Sequence, residues 1–277
     1  MLTTTVDGLW VLQVLSGIEV VAPELGLRPH LPSVETAEMA LAHPIAAELR
    51  AAGVVTGAGR VDEAVLEWLT VLSRRDVALL FYAQTPAHGS EPERVLLARF
   101  AQWWVALERN GILVRMSGVG TASSEESAGM LINSQIERLC GEMKPASLRP
   151  VTLDVPELLA AVHDQASLRT FLLDRRFDSD QVTMLTTAAD TDRSAQASVV
   201  AIQSGVTGGP ARSHIEPGAV TIMDTPHGRL VSEHVTRGEK SWMIISPGSA
   251  ANIASAVLKM VRRLPAEDEW YSHRKVV

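Results

Sequence analysis

TTTVDGLWVLQVL, residues 3–15, and VTLDVPELLAAV, residues 151–162, open in the same way. Thr5-Val6-Asp7 aligns with Thr152-Leu153-Asp154, Val11-Leu12 with Leu158-Leu159, and Leu15 with Val162. Each segment joins a short β-rich run to an apolar helical stretch, with an aspartate placed to cap the helix. A segment written twice in 277 residues predicts two related halves. The far end of each half carries a second match. SEESAGMLINSQIERL (124–139) and SAANIASAVLKMVRRL (249–264) both begin on a serine suited to an N-cap and end in Arg-Leu. Ala128, Ile132, Ile136 and Leu139 recur with the spacing of Ile253, Val257, Val261 and Leu264, which puts one buried stripe on each helix. Two long units do not make a solenoid of short repeats.

Between these ends the halves follow one plan. In the first, Ser33 is placed to cap a short helix, Pro44 starts another that stops at Gly53, and Asp62 opens a third with Val65, Leu69 and Leu72 on one face. A strand is predicted at 77–84 and a single long one at 95–108, turning at Asn110-Gly111 into 112–116. The second half predicts helices near 155–164, 167–176 and 179–189 and strands at 195–204, 219–224, 229–235 and 241–246. Turns fall at Pro226-His227-Gly228 and Arg237-Gly238-Glu239. Hairpins pair antiparallel. The expected fold is α/β, a quasi-two-fold duplicated architecture with a central, mainly antiparallel sheet and flanking helical bundles. One domain is expected over 1–277, made of an N-terminal quasi-repeat 1–147 and a C-terminal quasi-repeat 148–277.

Hydrophobic residues make up 46% of the chain, enough for a substantial core, yet no apolar run reaches the length of a membrane span. The opening MLTTTVDG has neither a basic region nor a cleavage site, and the lone Cys140 has no partner for a disulfide within the chain. A cytoplasmic location is expected. The net charge of −7, with cations only in scattered doublets such as Arg74-Arg75 and Arg262-Arg263, argues against nucleic-acid binding. The glycine-rich stretches at 56–59, 118–120 and 205–209 complete neither a phosphate loop nor a dinucleotide fingerprint. No nucleophile elbow is present, and Ser246-Pro247-Gly248-Ser249 reads as a turn and an N-cap. None of the eight histidines forms a metal-ligand pair; His227 and His234 could meet only across a hairpin. No catalytic residue, cofactor or metal is expected.

The unusual stretch is FAQWWVAL, 100–107. Taken as one strand, it puts Phe100, Gln102, Trp104 and Ala106 on a face shared with Leu113 and Arg115 across the hairpin. The opposite face then sets Val105 and Leu107 against Met116 and Val114. Aromatic and polar groups mixed on one face leave two readings: a second helix layer over the sheet, or an interface in which Trp104 faces a partner and Trp103 is structural. The polar loop at 85–94, TPAHGSEPER, is expected to be mobile and to order on partner binding.

Several segments, in order along the chain, resemble the EspG family of type VII (ESX) secretion chaperones of mycobacteria, most strongly the branch attached to the second ESX system. They are Val6-Asp7-Gly8-Leu9-Trp10, Ala22-Pro23-Glu24-Leu25-Gly26-Leu27-Arg28-Pro29, Glu67-Trp68-Leu69-Thr70-Val71-Leu72, Arg99-Phe100, Trp103-Trp104-Val105 and Leu107-Glu108-Arg109, then Ser246-Pro247-Gly248, Arg263-Leu264-Pro265-Ala266 and Glu269-Trp270-Tyr271-Ser272. The resemblance implies a cytosolic chaperone without catalytic residues. It would bind the PPE-subunit tip of PE–PPE heterodimers, keep them soluble by mass action and direct them to their cognate ESX system. It also implies a partner surface made from the sheet, the loop between its second and third strands, and the C-terminal helical bundle. On that basis Tyr82, Gln84, His88, Glu91, Phe100, Gln102, Trp104 and Arg115 are the expected partner-binding residues. Weak self-association is the other interaction expected, with no nucleic acid and no membrane insertion. The alternative is a homodimeric scaffold or a small-ligand-binding regulatory protein without catalysis.

Overall fold

The computed structural model of the chain describes residues 1–86, 92–205 and 213–274. Its strands are β1 (Leu2–Thr5), β2 (Val77–Gln84), β3 (Glu93–Phe100), β4 (Trp103–Asn110), β5 (Leu113–Thr121), β6 (Val151–Asp154), β7 (Ala195–Gln203), β8 (His214–Ile215), β9 (Val220–Thr225), β10 (Gly228–Arg237) and β11 (Lys240–Pro247). Its helices are α1 (Val6–Ser16), α2 (Ala37–Ala42), α3 (Pro44–Ala51), α4 (Glu63–Arg74), α5 (Glu125–Cys140), α6 (Val155–Ala161), α7 (Gln165–Asp174), α8 (Ser179–Ala188) and α9 (Ala250–Val261). All strands join one sheet, in the order β1-β5-β4-β3-β2-β7-β9-β10-β11-β6, with β8 beside β7. Every ladder between them is antiparallel. From either edge inward the pattern is the same: the opening strand of a half, its last strand, then the others in reverse to a seam where β2 pairs with β7.

The caps explain where helices begin. Ser124 and Ser249 accept hydrogen bonds from the backbone N–H groups of Ser127 and Asn252, as their positions predicted. Asp62 and Pro44 also start their helices as expected. The opening motif is corrected. Thr5, still extended at φ −98°, accepts from the Gly8 N–H, so Asp7 lies inside the first turn and is not the cap. Asp154 caps α6 through the Glu157 N–H. The structural equivalence is therefore Thr5 with Asp154, two residues away from the alignment read off the aspartates. α2 begins at Ala37 under a Thr36 cap, not at Ser33.

The strand expected at 95–108 is two strands. β3 stops at Phe100, Ala101 and Gln102 form a two-residue turn, and β4 starts at Trp103 opposite Phe100. Ala101 sits at φ 57°, and its N–H is held by the buried Asp76 carboxylate at 3.0 Å. Side-chain anchoring from a distant residue thus makes a turn that carries no glycine or asparagine. The next turn is centred on Gly111-Ile112, so Leu107 faces Met116 and Val105 faces Gly118, and a bulge between Trp104 and Val105 then puts Trp104 opposite Gly120.

Both faces of the sheet are covered, by different helices. On one face α1–α4 bury Leu9, Leu12, Leu69 and Leu72 against Leu96, Ala98, Val105 and Leu107. On the same face, at the other end, α6–α8 pack Phe171, Leu172, Val182 and Leu185 onto Leu153, Leu230 and Ile245. The second face carries α5 and α9, one from each half, whose Ile132, Ile136, Ile253 and Val257 close over Phe81, Leu97, Val199 and Ile222. Each such aliphatic side chain contributes roughly 1.5–3 kcal/mol by leaving water. The C-terminal segment fastens the halves. Trp270 is fully buried, and its indole donates to Glu125, which Arg262 also grips with two hydrogen bonds. Arg99 donates to the carbonyls of Tyr271 and His273 beside Asp76. Burial lowers the Arg99 pKa to about 10 against the pull of Asp76, which leaves it charged at neutral pH.

Candidate partner-binding site

On the face shared by α1–α4 and α6–α8, the helices bury Ala78 and Ile202 at one end of the seam but leave the rest of it uncovered. The alternation of β2 records this. Val77, Leu79 and Phe81 point to α5 and α9 and are buried. On the opposite side Ala78 is buried, Leu80 is half-buried, and Tyr82 and Gln84 are exposed, Tyr82 by 42%. The neighbouring strands continue the opening. Ser198 and Val200 of β7 lie opposite Tyr82 and Leu80, and Arg94 of β3 lies opposite Tyr82 from the other side. Thr221 of β9 pairs with Ser198, their hydroxyl oxygens 3.0 Å apart. The result is an open strip of sheet with one phenol ring, two aliphatic hydroxyls, an amide, a guanidinium and the edges of Leu80 and Val200. It suits the apolar end of a partner with polar groups around it. Among the described residues no group of three or more His, Cys, Asp or Glu could hold a metal ion, and no helix is long and apolar enough to cross a membrane.

The expected partner residues divide. Tyr82 and Gln84 lie together on the strip. His88 and Glu91 fall outside the described residues, with the rest of 87–91. Phe100 is half-buried against the first-face helices at the opposite end of β3, and Gln102 is exposed in the turn beside it. Trp104 is a correction. It is 1% exposed, in the core beneath α5 and α9, whereas Trp103 is 52% exposed. The turn at Ala101-Gln102 ends β3, so Phe100 and Trp104 share neither a strand nor a face. Arg115 lies on the second face near the β1 edge and pairs with Glu108 at 3.3 Å. Arg94, Ser198, Val200 and Thr221 were not foreseen. The trace they leave in sequence is the small and polar set Gln196 and Ser198, alternating with the buried Val199 and Ala201 of β7.

A single family model spans nearly the whole chain: the EspG family model matches residues 5–259. This chain belongs to the EspG family. The ESX-2 secretion-associated protein EspG2 of Mycobacterium tuberculosis is 55% identical to it over the full length of both chains. The ESX-5 secretion-associated protein EspG5 of Mycobacterium marinum is 29% identical, over 99% of this chain and 97% of its own. The fold matches a solved EspG structure as well. The Mycobacterium tuberculosis type VII secretion system chaperone EspG5, solved in complex with a PE25-PPE41 dimer, superposes with a TM-score of 0.78 at 25% identity over 98% of this chain and 99% of that one. The large antiparallel sheet with flanking helices is thus an EspG fold.

Proposed function

We propose that this EspG protein is a cytosolic, non-catalytic chaperone that binds PE–PPE heterodimers through the PPE subunit and directs them to their own ESX system. The observation that carries the reading is the end-to-end likeness to an EspG5 chain solved with a PE–PPE dimer, joined to an uncovered strip at the sheet's centre. Tyr82, Gln84, Arg94, Ser198, Val200 and Thr221 are the proposed contacts. A strip with both apolar and hydrogen-bonding groups can cover the apolar tip of a helical bundle and keep it from self-association, and mass action does this without nucleotide turnover. We further infer that residues 1–277 are one domain built from two copies of one unit, 1–147 and 148–277; the mirrored strand order supports this.

The test is co-expression with candidate PE–PPE pairs followed by size exclusion. One pair should co-elute with the parent protein. Val200→Asp and Tyr82→Ala should weaken that complex at least tenfold with little change in melting temperature. Co-elution with no pair, or undiminished binding by both variants, removes the strip from the mechanism.

A further inference from the structure

At the far end of β3 and β4, α4 and the adjoining ends of β3, β4 and β5 line an open groove of about 650 Å³. Its walls are Trp68, Phe100, Trp103 and Leu66; Trp103 is 52% exposed and Leu66 39%. Gly118 of β5 permits this arrangement, because a Cβ there would lie 2.9 Å from Nε1 of Trp68 and push the indole off the sheet. The rim is anionic. Glu63 and Glu67 stand one helical turn apart on α4, both exposed, neither with an ion-pair partner among the described residues, and no Lys or Arg lines the groove. Two unpaired carboxylates beside two indoles and a phenyl ring make an environment that favours a cation. Ring faces attract positive charge, and the carboxylates add to that field. Apolar surface of this kind in a continuous patch marks an interaction site.

We propose that this groove docks a segment of a partner protein in which a lysine or arginine is flanked by apolar residues. The cation sits against the Trp68 and Trp103 rings between Glu63 and Glu67, and the apolar flanks rest on Leu66 and Phe100. Arg94 on the strip is roughly 20 Å away along β3. The groove is therefore a separate surface from the strip, and the proposal stands independently of the strip.

The experiment uses the full ¹⁵N-labelled chain. The probes are the peptide acetyl-Leu-Lys-Leu-Val-amide and its counterpart with glutamate in place of lysine. The lysine peptide should shift the Trp68 and Trp103 indole signals saturably, and the glutamate peptide should bind at least tenfold more weakly. Binding should weaken with added salt and fall at least threefold in the Glu63→Gln, Glu67→Gln double variant. That variant should melt like the parent, because neither carboxylate is paired. Trp103→Ala should abolish the shifts. Equal binding of both peptides, or no saturable shift, overturns the proposal. Arg274 donates to the Ala101 carbonyl beside the groove, at 3.1 Å. Peptide binding that appears only after residues 275–277 are deleted therefore assigns the groove to the chain's own end and overturns a partner. A concentration-dependent dimer lost in Trp103→Ala assigns it to a second copy and does the same.

Discussion

Trp103 and Trp104 are neighbours in sequence, and strand alternation already sends them to opposite faces. Which one is inside depends on the two residues before them. Trp104→Ala should cost about 3–5 kcal/mol of stability by opening a cavity under α5 and α9. Trp103→Ala should cost about 1 kcal/mol or less, because half of that ring already meets water. Paired urea titrations decide it; equal losses would mean the Trp103 ring is more deeply packed than its exposure indicates. The assignment was not legible in the sequence because the turn at Ala101-Gln102 is made by the Asp76 carboxylate, 25 positions upstream, and not by a local turn residue. Glu35 shows another contact invisible to pattern. Its carboxylate accepts from the Leu31 N–H at 2.7 Å, from Arg28 at 2.5 Å, and faces His30 at 2.9 Å. Led by the Leu31 backbone, these hold its pKa at about 2 instead of 4.5. A carboxylate with a depressed folded pKa stabilises fully above its unfolded value, and that contribution is lost as pH falls from about 4.5 through about 2. Glu35→Gln should therefore lower Tm at pH 6, with the gap from the parent narrowing across that window. A gap constant from pH 6 to 2 would contradict the assignment.

Helices were the readable elements. α4, α5 and α9 begin on the caps and bury the stripes that serine, aspartate and apolar spacing announced. The strand β2 is legible to the residue, which places Tyr82 and Gln84 on one face of the sheet. The remainder of the strip was hidden. Arg94, Ser198, Val200 and Thr221 become neighbours only through the β2–β7 seam, and no local signal specifies which strands of the two halves meet. Arg229 shows how such long-range joins are held. It grips Asp224 with hydrogen bonds of 2.6 and 2.7 Å and donates to the carbonyls of Cys140 and Gly141 at the end of α5. Arg229→Met should cost about 3–5 kcal/mol, because it leaves a largely buried carboxylate and two helix-end carbonyls without their donor. Arg229→Lys should recover only part, since an ammonium cannot reproduce the fork. Denaturant midpoints of the two variants give the answer; full recovery by lysine would reduce the role of Arg229 to charge alone.

Besides the α5–α9 packing and Arg229, the halves are joined by the seam and by the C-terminal segment that crosses it. Truncation after Glu269 removes Trp270 from the core and takes the Tyr271 and His273 carbonyls from the buried Arg99. The expected result is a fall in Tm on the order of 10 °C or more. Calorimetry of the truncated chain checks this, and an unchanged Tm would show that the segment adds nothing to the seam, the α5–α9 packing and the Arg229 contacts. The seam also has a consequence during synthesis. The strands of the first half are complete once β5 ends at Thr121, but β7, which covers the edge of β2, begins only at Ala195. At about 5–20 residues per second the ribosome needs roughly 4–15 s to make that strand. For that interval the nascent chain presents Val77-Ala78-Leu79-Leu80-Phe81 along an unpaired strand edge, a template for aggregation between chains. The yield of soluble protein is thus set in part by translation speed between the two halves, and a protein proposed to shield apolar surfaces on others begins its own life with one uncovered.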